Sequence, residues 1–107
     1  MTSYGGIWWT SGSVPVAHLW GELDAANADD VFHVVRKGVG RREVVIDFSD
    51  VVFMGSNVLG ELVAFGREAP VSVVAPPGGQ PRRVLELTGL TATISTFDTV
   101  DAALNAH

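Results

Sequence analysis

Ser56 is the residue whose neighbours best equip it for chemistry. It follows Ile46-Asp47-Phe48-Ser49-Asp50-Val51-Val52-Phe53-Met54-Gly55, read as an apolar strand that runs to an aspartate and crosses a short loop. It precedes Asn57-Val58-Leu59-Gly60, the opening of a helix. A helix start carries unpaired N–H groups and the positive end of the helix dipole. A serine there either caps the helix through its hydroxyl or accepts a phosphate, whose charge the helix start favours. Both readings stand on sequence. Asp24 and Asp47 are read at strand ends, where an α/β fold would bring them near the Ser56 loop, with partner contact, help in phosphate transfer or turn chemistry open to them, and turn chemistry preferred for Asp47. Val58, Glu61 and Phe65 share a helical face beside the expected core stripe. That face could dock a partner or form a second edge of the core, and Phe65 is read as the latter.

Other chemistries are poorly supplied. His18, His33 and His107 are far apart and form no ligand spacing, so no metal site is expected. A triad of Ser56, Asp47 and a histidine lacks a nucleophile-elbow motif, so no catalytic residue is assigned and the chain is read as a non-enzyme. Gly78-Gly79 lacks the glycine spacing and the lysine of a phosphate-binding loop, and no cofactor is expected. Trp8 and Trp9 are adjacent and point to opposite faces if they lie in a strand, so one of them is a candidate for exposure.

The elements that must position Ser56 follow from the apolar pattern. Ile7–Thr10 and Val14–Trp20 read as a hairpin across Ser11-Gly12-Ser13. His18 is expected to face outward. Gly21-Glu22-Leu23-Asp24 is expected to break the second strand. Asn27 is read as the N-cap of a first helix, with Asp30 three residues on, and Ala28, Val31, Phe32, Val35 and Val39 as its buried stripe. Glu43–Phe48 is a near-continuous apolar strand. A second helix is expected over 57–68, with Leu59, Leu62, Val63 and Gly66 inward. Val71–Ala75 is a third buried strand. Pro81 starts a third helix, to which Val84, Leu85 and Leu87 lend apolar contacts and which Gly89 closes. Ile94–Phe97 is a short last strand, and Asp98-Thr99 opens a last helix through Leu104. Strands alternating with helices imply an α/β layered domain.

Composition narrows the function. The 107 residues suit one domain, 1–107, and the 47% hydrophobic and 18% charged fractions support a packed core rather than disorder. A net charge of −5 with only 7 Lys and Arg argues against a nucleic-acid partner and against an anionic membrane surface. The absence of cysteine removes disulfides and thiolate zinc sites. The N-terminus lacks a signal-peptide pattern and no apolar run is long enough to span a bilayer, so a cytoplasmic location is expected.

Three blocks carry a family likeness. Leu19-Trp20-Gly21-Glu22-Leu23-Asp24 resembles the G-E-L-D turn of STAS domains, the fold of bacterial anti-sigma factor antagonists. Val45 to Gly60 resembles their D-L-S-x-V-x-F-M-D-S-S-G-L-G block, and Arg83-Val84-Leu85-Glu86-Leu87-Thr88-Gly89-Leu90 resembles their R-x-L-x-x-x-G-L helix end. The resemblance implies a mixed sheet of about five strands with about four helices. It also implies a protein-binding module that engages an anti-sigma factor of ATPase-type kinase architecture and frees a sigma factor. On this likeness Ser56 is the phosphoacceptor, with a phosphatase to reset it, and Asp24, Gly55, Ser56, Asn57, Val58 and Glu61 form the partner surface. Two further roles stay open: a constitutive, unphosphorylated interaction module, and a small anion or nucleotide sensor at the helix start. The chain departs from the family pattern at Gly55, where phosphorylated members carry Asp, at Asn57, where the second Ser is usual, and at Val58, where Gly is usual.

Overall fold

The computed structural model describes residues 4–11, 14–39 and 43–106. Five strands, β1 (Tyr4–Ser11), β2 (Val14–Leu23), β3 (Val44–Met54), β4 (Val71–Val74) and β5 (Ser95–Phe97), form one sheet in sequence order. β1 pairs with β2 antiparallel, and the other neighbours are parallel. Four helices join or follow them: α1 (Ala28–Val39), α2 (Ser56–Glu68), α3 (Gln80–Leu87) and α4 (Val100–Asn105), with a short 3-10 turn at Leu90–Ala92. The expected order of elements and the mixed five-stranded α/β architecture are what the structure has.

The period-two alternation of the strands sorts the core onto two faces. Ala17, Leu19, Val44, Ile46 and Phe48 pack against Val31, Phe32 and Val35 of α1, Val58, Leu62 and Phe65 of α2, and Leu85 of α3. Val14, Val16, Val45 and Val74 face the other way and are covered by Ala103 of α4, with Phe97, Val100 and Leu104. Thr99 starts α4 by accepting a hydrogen bond from Ala102 N–H at 3.1 Å, as a helix N-cap does. Because β2, β3 and β4 are parallel, their C-terminal ends share one edge, and α1, α2 and α3 begin there. Open α/β sheets place their sites at that edge.

Several boundaries differ from the sequence reading. Gly21-Glu22-Leu23 does not break β2; the strand continues to Leu23, paired with Val51, Phe53 and Met54. β3 likewise runs on from Phe48 to Met54. Both extensions hold because the strands pair with each other despite two register shifts, between His18 and Trp20 and between Gly21 and Glu22. Each shift gives β3 one extra residue, a bulge that bends the strand. Gly21 takes φ 85, in the left-handed region that glycine tolerates. The inward residues of β3 are consequently Phe48, Val51 and Met54, three apart, with exposed pairs Ser49-Asp50 and Val52-Phe53 between them.

The α2 stripe is also rotated from expectation. Val58, Leu62, Phe65 and the following Ala69 are buried, Leu59 is partly buried, and Val63 and Gly66 are exposed. Two apolar stripes at helical spacing compete here, and the larger one, carrying Phe65, wins the core. On α3, Leu85 is buried and Val84 packs at the core margin, whereas Leu87 is exposed rather than a core contact. Trp8 and Trp9 lie in β1, opposite Ala17 and Val16, and the expectation about their exposure falls on side chains outside the described residues, as do Gly12, Ser13 and Gly40.

Candidate functional site

Ser56 is the first residue of α2 and is exposed. Gly55, not Ser56, occupies the N-cap position, in an extended conformation with φ −84, and no side chain caps this helix. The serine therefore does not cap α2. Its hydroxyl has no hydrogen-bond partner among the described residues. A nucleophilic oxygen thus stands in solvent at a helix start, where added negative charge is favoured.

The backbone leading to it is pinned from two sides. Gly55 N–H donates to Leu23 O at 2.8 Å, tying the end of β3 to the end of β2. On the other side the Gln80 side chain pairs with Met54: Met54 N–H donates to Oε1 at 2.7 Å and Nε2 donates to Met54 O at 3.1 Å. Nothing local in the sequence marks Gln80, because its partner lies 26 residues away.

Asp24 lies beside Gly55. A Cβ built on Gly55 would sit 3.7 Å from Asp24 Cα and 3.7 Å from the Phe53 ring. Asp24 is half-buried, and its Oδ1 accepts from Ala26 N–H at 2.9 Å, a turn bond. Asn27 holds the expected N-cap position of α1, its O accepting from Val31 N–H at 3.0 Å, while its side chain braces this turn rather than the helix. Its Oδ1 accepts from Asp24 N–H at 2.9 Å and its Nδ2 donates to Glu22 O at 2.8 Å. It is buried because it satisfies backbone groups on both sides of the turn.

Asp24, Gly55, Ser56 and Asn57 are thus brought together at the sheet edge. Phe53, 45% exposed, stands beside Gly55, and Val52, 67% exposed, precedes it in β3; both escaped the sequence reading, which ended the strand at Phe48. Val58 is a correction. Its side chain is 0% exposed and sits in the main core, so it presents no surface to a partner. The volume that a glycine would leave at this position is filled here by valine.

Glu61 is only slightly exposed and faces α1. Its Oε2 accepts from Arg36 Nη1 at 3.0 Å, and Arg36 Nε also donates to Glu68 at 3.2 Å while stacking 5.5 Å above the Phe65 ring. Burial, reinforced by a hydrogen bond with Asp29, raises the Glu61 carboxyl above its ordinary value despite the opposing pull of Arg36. Burial alone would lower Arg36, but its hydrogen bonds to Glu61 and Glu68 prevail and raise it. This cluster ties α1 to α2, and Glu61 is committed to that contact.

Asp47 is not at a strand end near Ser56. It lies within β3, buried, seven residues before Met54. One oxygen lies 2.7 Å from His18 Nδ1, and the other accepts from Ser49 N–H at 2.9 Å and from the Ser49 hydroxyl. His18 Nε2 lies 2.8 Å from Asp50. His18 therefore bridges the residues on either side of the first bulge rather than facing outward unpartnered. Ser56 is not part of this group, so the described residues form no Ser56–His–Asp triad. Among the described residues no group of His, Asp or Glu is arranged to hold a metal, and no helix is long and apolar enough to cross a membrane.

A family model described as the STAS domain matches residues 10–103. The chain belongs to the STAS domain family. Solved structures agree. It is similar to an anti-sigma factor antagonist from Mycobacterium paratuberculosis at 32% identity and TM-score 0.88, over 97% of this chain and 93% of that one. It is similar in fold to a putative anti-sigma factor antagonist from Thermotoga maritima, at 23% identity and TM-score 0.78, over 94% and 92% of the two chains. It also shares the fold of the Bacillus cell fate determinant SpoIIAA in its phosphorylated form, at 17% identity and TM-score 0.65, over 95% and 98%.

Proposed function

We propose that this STAS domain is an anti-sigma factor antagonist. In this reading it binds an anti-sigma factor of ATPase-type kinase architecture through the edge formed by Asp24, Gly55, Ser56 and Asn57. Less anti-sigma factor then holds its sigma factor, which is released by mass action. The anti-sigma factor transfers phosphate to Ser56, the complex separates, and a phosphatase restores the serine. The chain itself supplies binding and a phosphoacceptor, not catalysis.

The observation that carries the reading is Ser56 itself: an exposed, unpartnered hydroxyl at the first residue of α2, on a backbone held from both sides. The mycobacterial relative, similar over nearly its whole length, supports the partner class. Phosphate adds close to two negative charges at pH 7. The α2 start accommodates them within this chain. A partner surface seated against Ser56 and Asp24 would meet a charge too large to desolvate, and would leave.

Gly55 favours a second reading. It places no carboxylate beside Ser56 to recruit a kinase, and a module that binds without being modified would have the same edge. Affinity of the cognate anti-sigma factor for wild type, Ser56→Ala and Ser56→Glu separates the two. The switch expects Ser56→Ala to bind like wild type and Ser56→Glu to lose at least about tenfold, the weight of one charged contact. Equal binding by all three would leave the constitutive module.

A further inference from the structure

We infer that Gln80 is the positioning residue of the Ser56 loop, so that α3 controls where the phosphoacceptor stands. The inference rests on the proposed role of Ser56 and goes beyond it.

β3 is paired on both sides only as far as Asp47. β4 matches Val44–Asp47 and ends at Val74, so the edge of β3 from Phe48 to Met54 has no strand beside it on that flank. At the last residue of that open edge the Gln80 amide takes the place of a strand. It accepts from Met54 N–H and donates to Met54 O, the two bonds a neighbouring strand would make. The orientation of the amide is fixed by its partners, since Met54 N–H needs an acceptor and Met54 O a donor. Met54 is buried, so both of its backbone groups require such partners.

Gly55 is tied to β2 by the bond from its N–H to Leu23 O at 2.8 Å, and to α2 by the bond its own O accepts from Val58 N–H at 3.1 Å. Ser56 comes next and its side chain holds on to nothing. Its location is set by the packing of α2 on its far side, through the buried Val58, and on its near side by the attachments of Met54-Gly55 to β2 and to the first residue of α3. Loss of the Gln80 attachment leaves the strand side of the loop held to β2 alone, and frees Met54-Gly55 to shift against α2.

The test compares wild type with Gln80→Leu, which keeps the bulk and removes both bonds, and Gln80→Glu, which keeps the acceptor and regains the donor only when its carboxyl is protonated. Hydrogen exchange at Met54 N–H in Gln80→Leu is expected to quicken about tenfold, the equilibrium weight of one hydrogen bond, with Val45 and Ile46 unchanged. The Ser56 and Asn57 amide resonances should move in Gln80→Leu. In Gln80→Glu they should return toward wild type as the carboxyl is protonated in acid, a pH-dependent rescue that simple loss of packing would not show. Affinity for the anti-sigma factor should fall about tenfold in Gln80→Leu and by less than twofold in Gln80→Glu under protonating conditions. Unchanged Met54 exchange, unmoved Ser56 resonances, or full affinity in Gln80→Leu would overturn the inference. Failure of wild type to bind any anti-sigma factor would overturn the proposed function instead, while the exchange and resonance measurements would still decide the role of Gln80. Global loss of protection in Gln80→Leu, with no acid rescue in Gln80→Glu, would make Gln80 a stabilising residue only and likewise overturn it.

Discussion

The two halves of β3 are built differently although they form one strand. Val44–Phe48 is covered on both faces and flanked by β2 and, as far as Asp47, by β4. Ser49–Met54 has β2 alone beside it, carries both bulges, and turns Ser49-Asp50 and Val52-Phe53 outward. The first half anchors the sheet. The second half delivers Ser56; beyond its pairing with β2 and its buried Val51 and Met54, it is braced by single side chains, His18 at the first bulge and Gln80 at the end. Doubly and singly flanked backbone are thus separated along one strand, the second half relying on β2 and a few side-chain bonds where a second strand is missing.

The separation predicts unequal sensitivity to substitution. The largest effect is expected in the first half, where Ile46→Ala removes a fully buried side chain and should cost about 2–5 kcal/mol. Val52→Ala, in the second half, should stay within about 0.5 kcal/mol. Urea denaturation of both variants checks the contrast, and comparable losses would remove it. An intermediate effect is expected at the joint. His18→Leu leaves the buried Asp47 carboxylate with Ser49 as its remaining partner among the described residues, at roughly 1–3 kcal/mol. The same denaturation measurement applies, and Asp50→Asn should cost less, because Asp50 is 68% exposed on its side chain. The smallest effect is expected at Gly55. Its φ is ordinary for any residue, and an added Cβ meets nothing nearer than 3.6 Å. Gly55→Asp should change the melting temperature little while placing a carboxylate beside Ser56. A rise in phosphate incorporation in that variant would identify the carboxylate as a kinase-recognition group.

Where the sequence was legible, a repeating pattern made it so. The apolar run at Val44–Phe48, the α1 stripe from Ala28 to Val35 and the pairing of the first two strands formed where expected. The extension of β3 was not legible. Two bulges change its inward spacing from two to three, which matches neither a strand nor a helix pattern. Leu59 and Val63 misled because α2 offers two apolar stripes, and Phe65 decides between them through its packing with Phe32. Within the site, the position of Ser56 at a helix start could be read, but its freedom from capping could not. That depends on Gly55 taking the N-cap place. The bracing by Asn27 and Gln80 was out of reach for a different reason. Both satisfy backbone groups on other elements, and a side-chain amide carries no sequence mark of the carbonyl it serves.

The measurement that decides the account is phosphopeptide mapping after incubation of the chain with its cognate anti-sigma factor and magnesium ATP. The account expects a single phosphate, on Ser56, absent from Ser56→Ala, with the anti-sigma factor dissociating as the phosphate appears. Phosphate on another residue, or none while the complex persists, would contradict it.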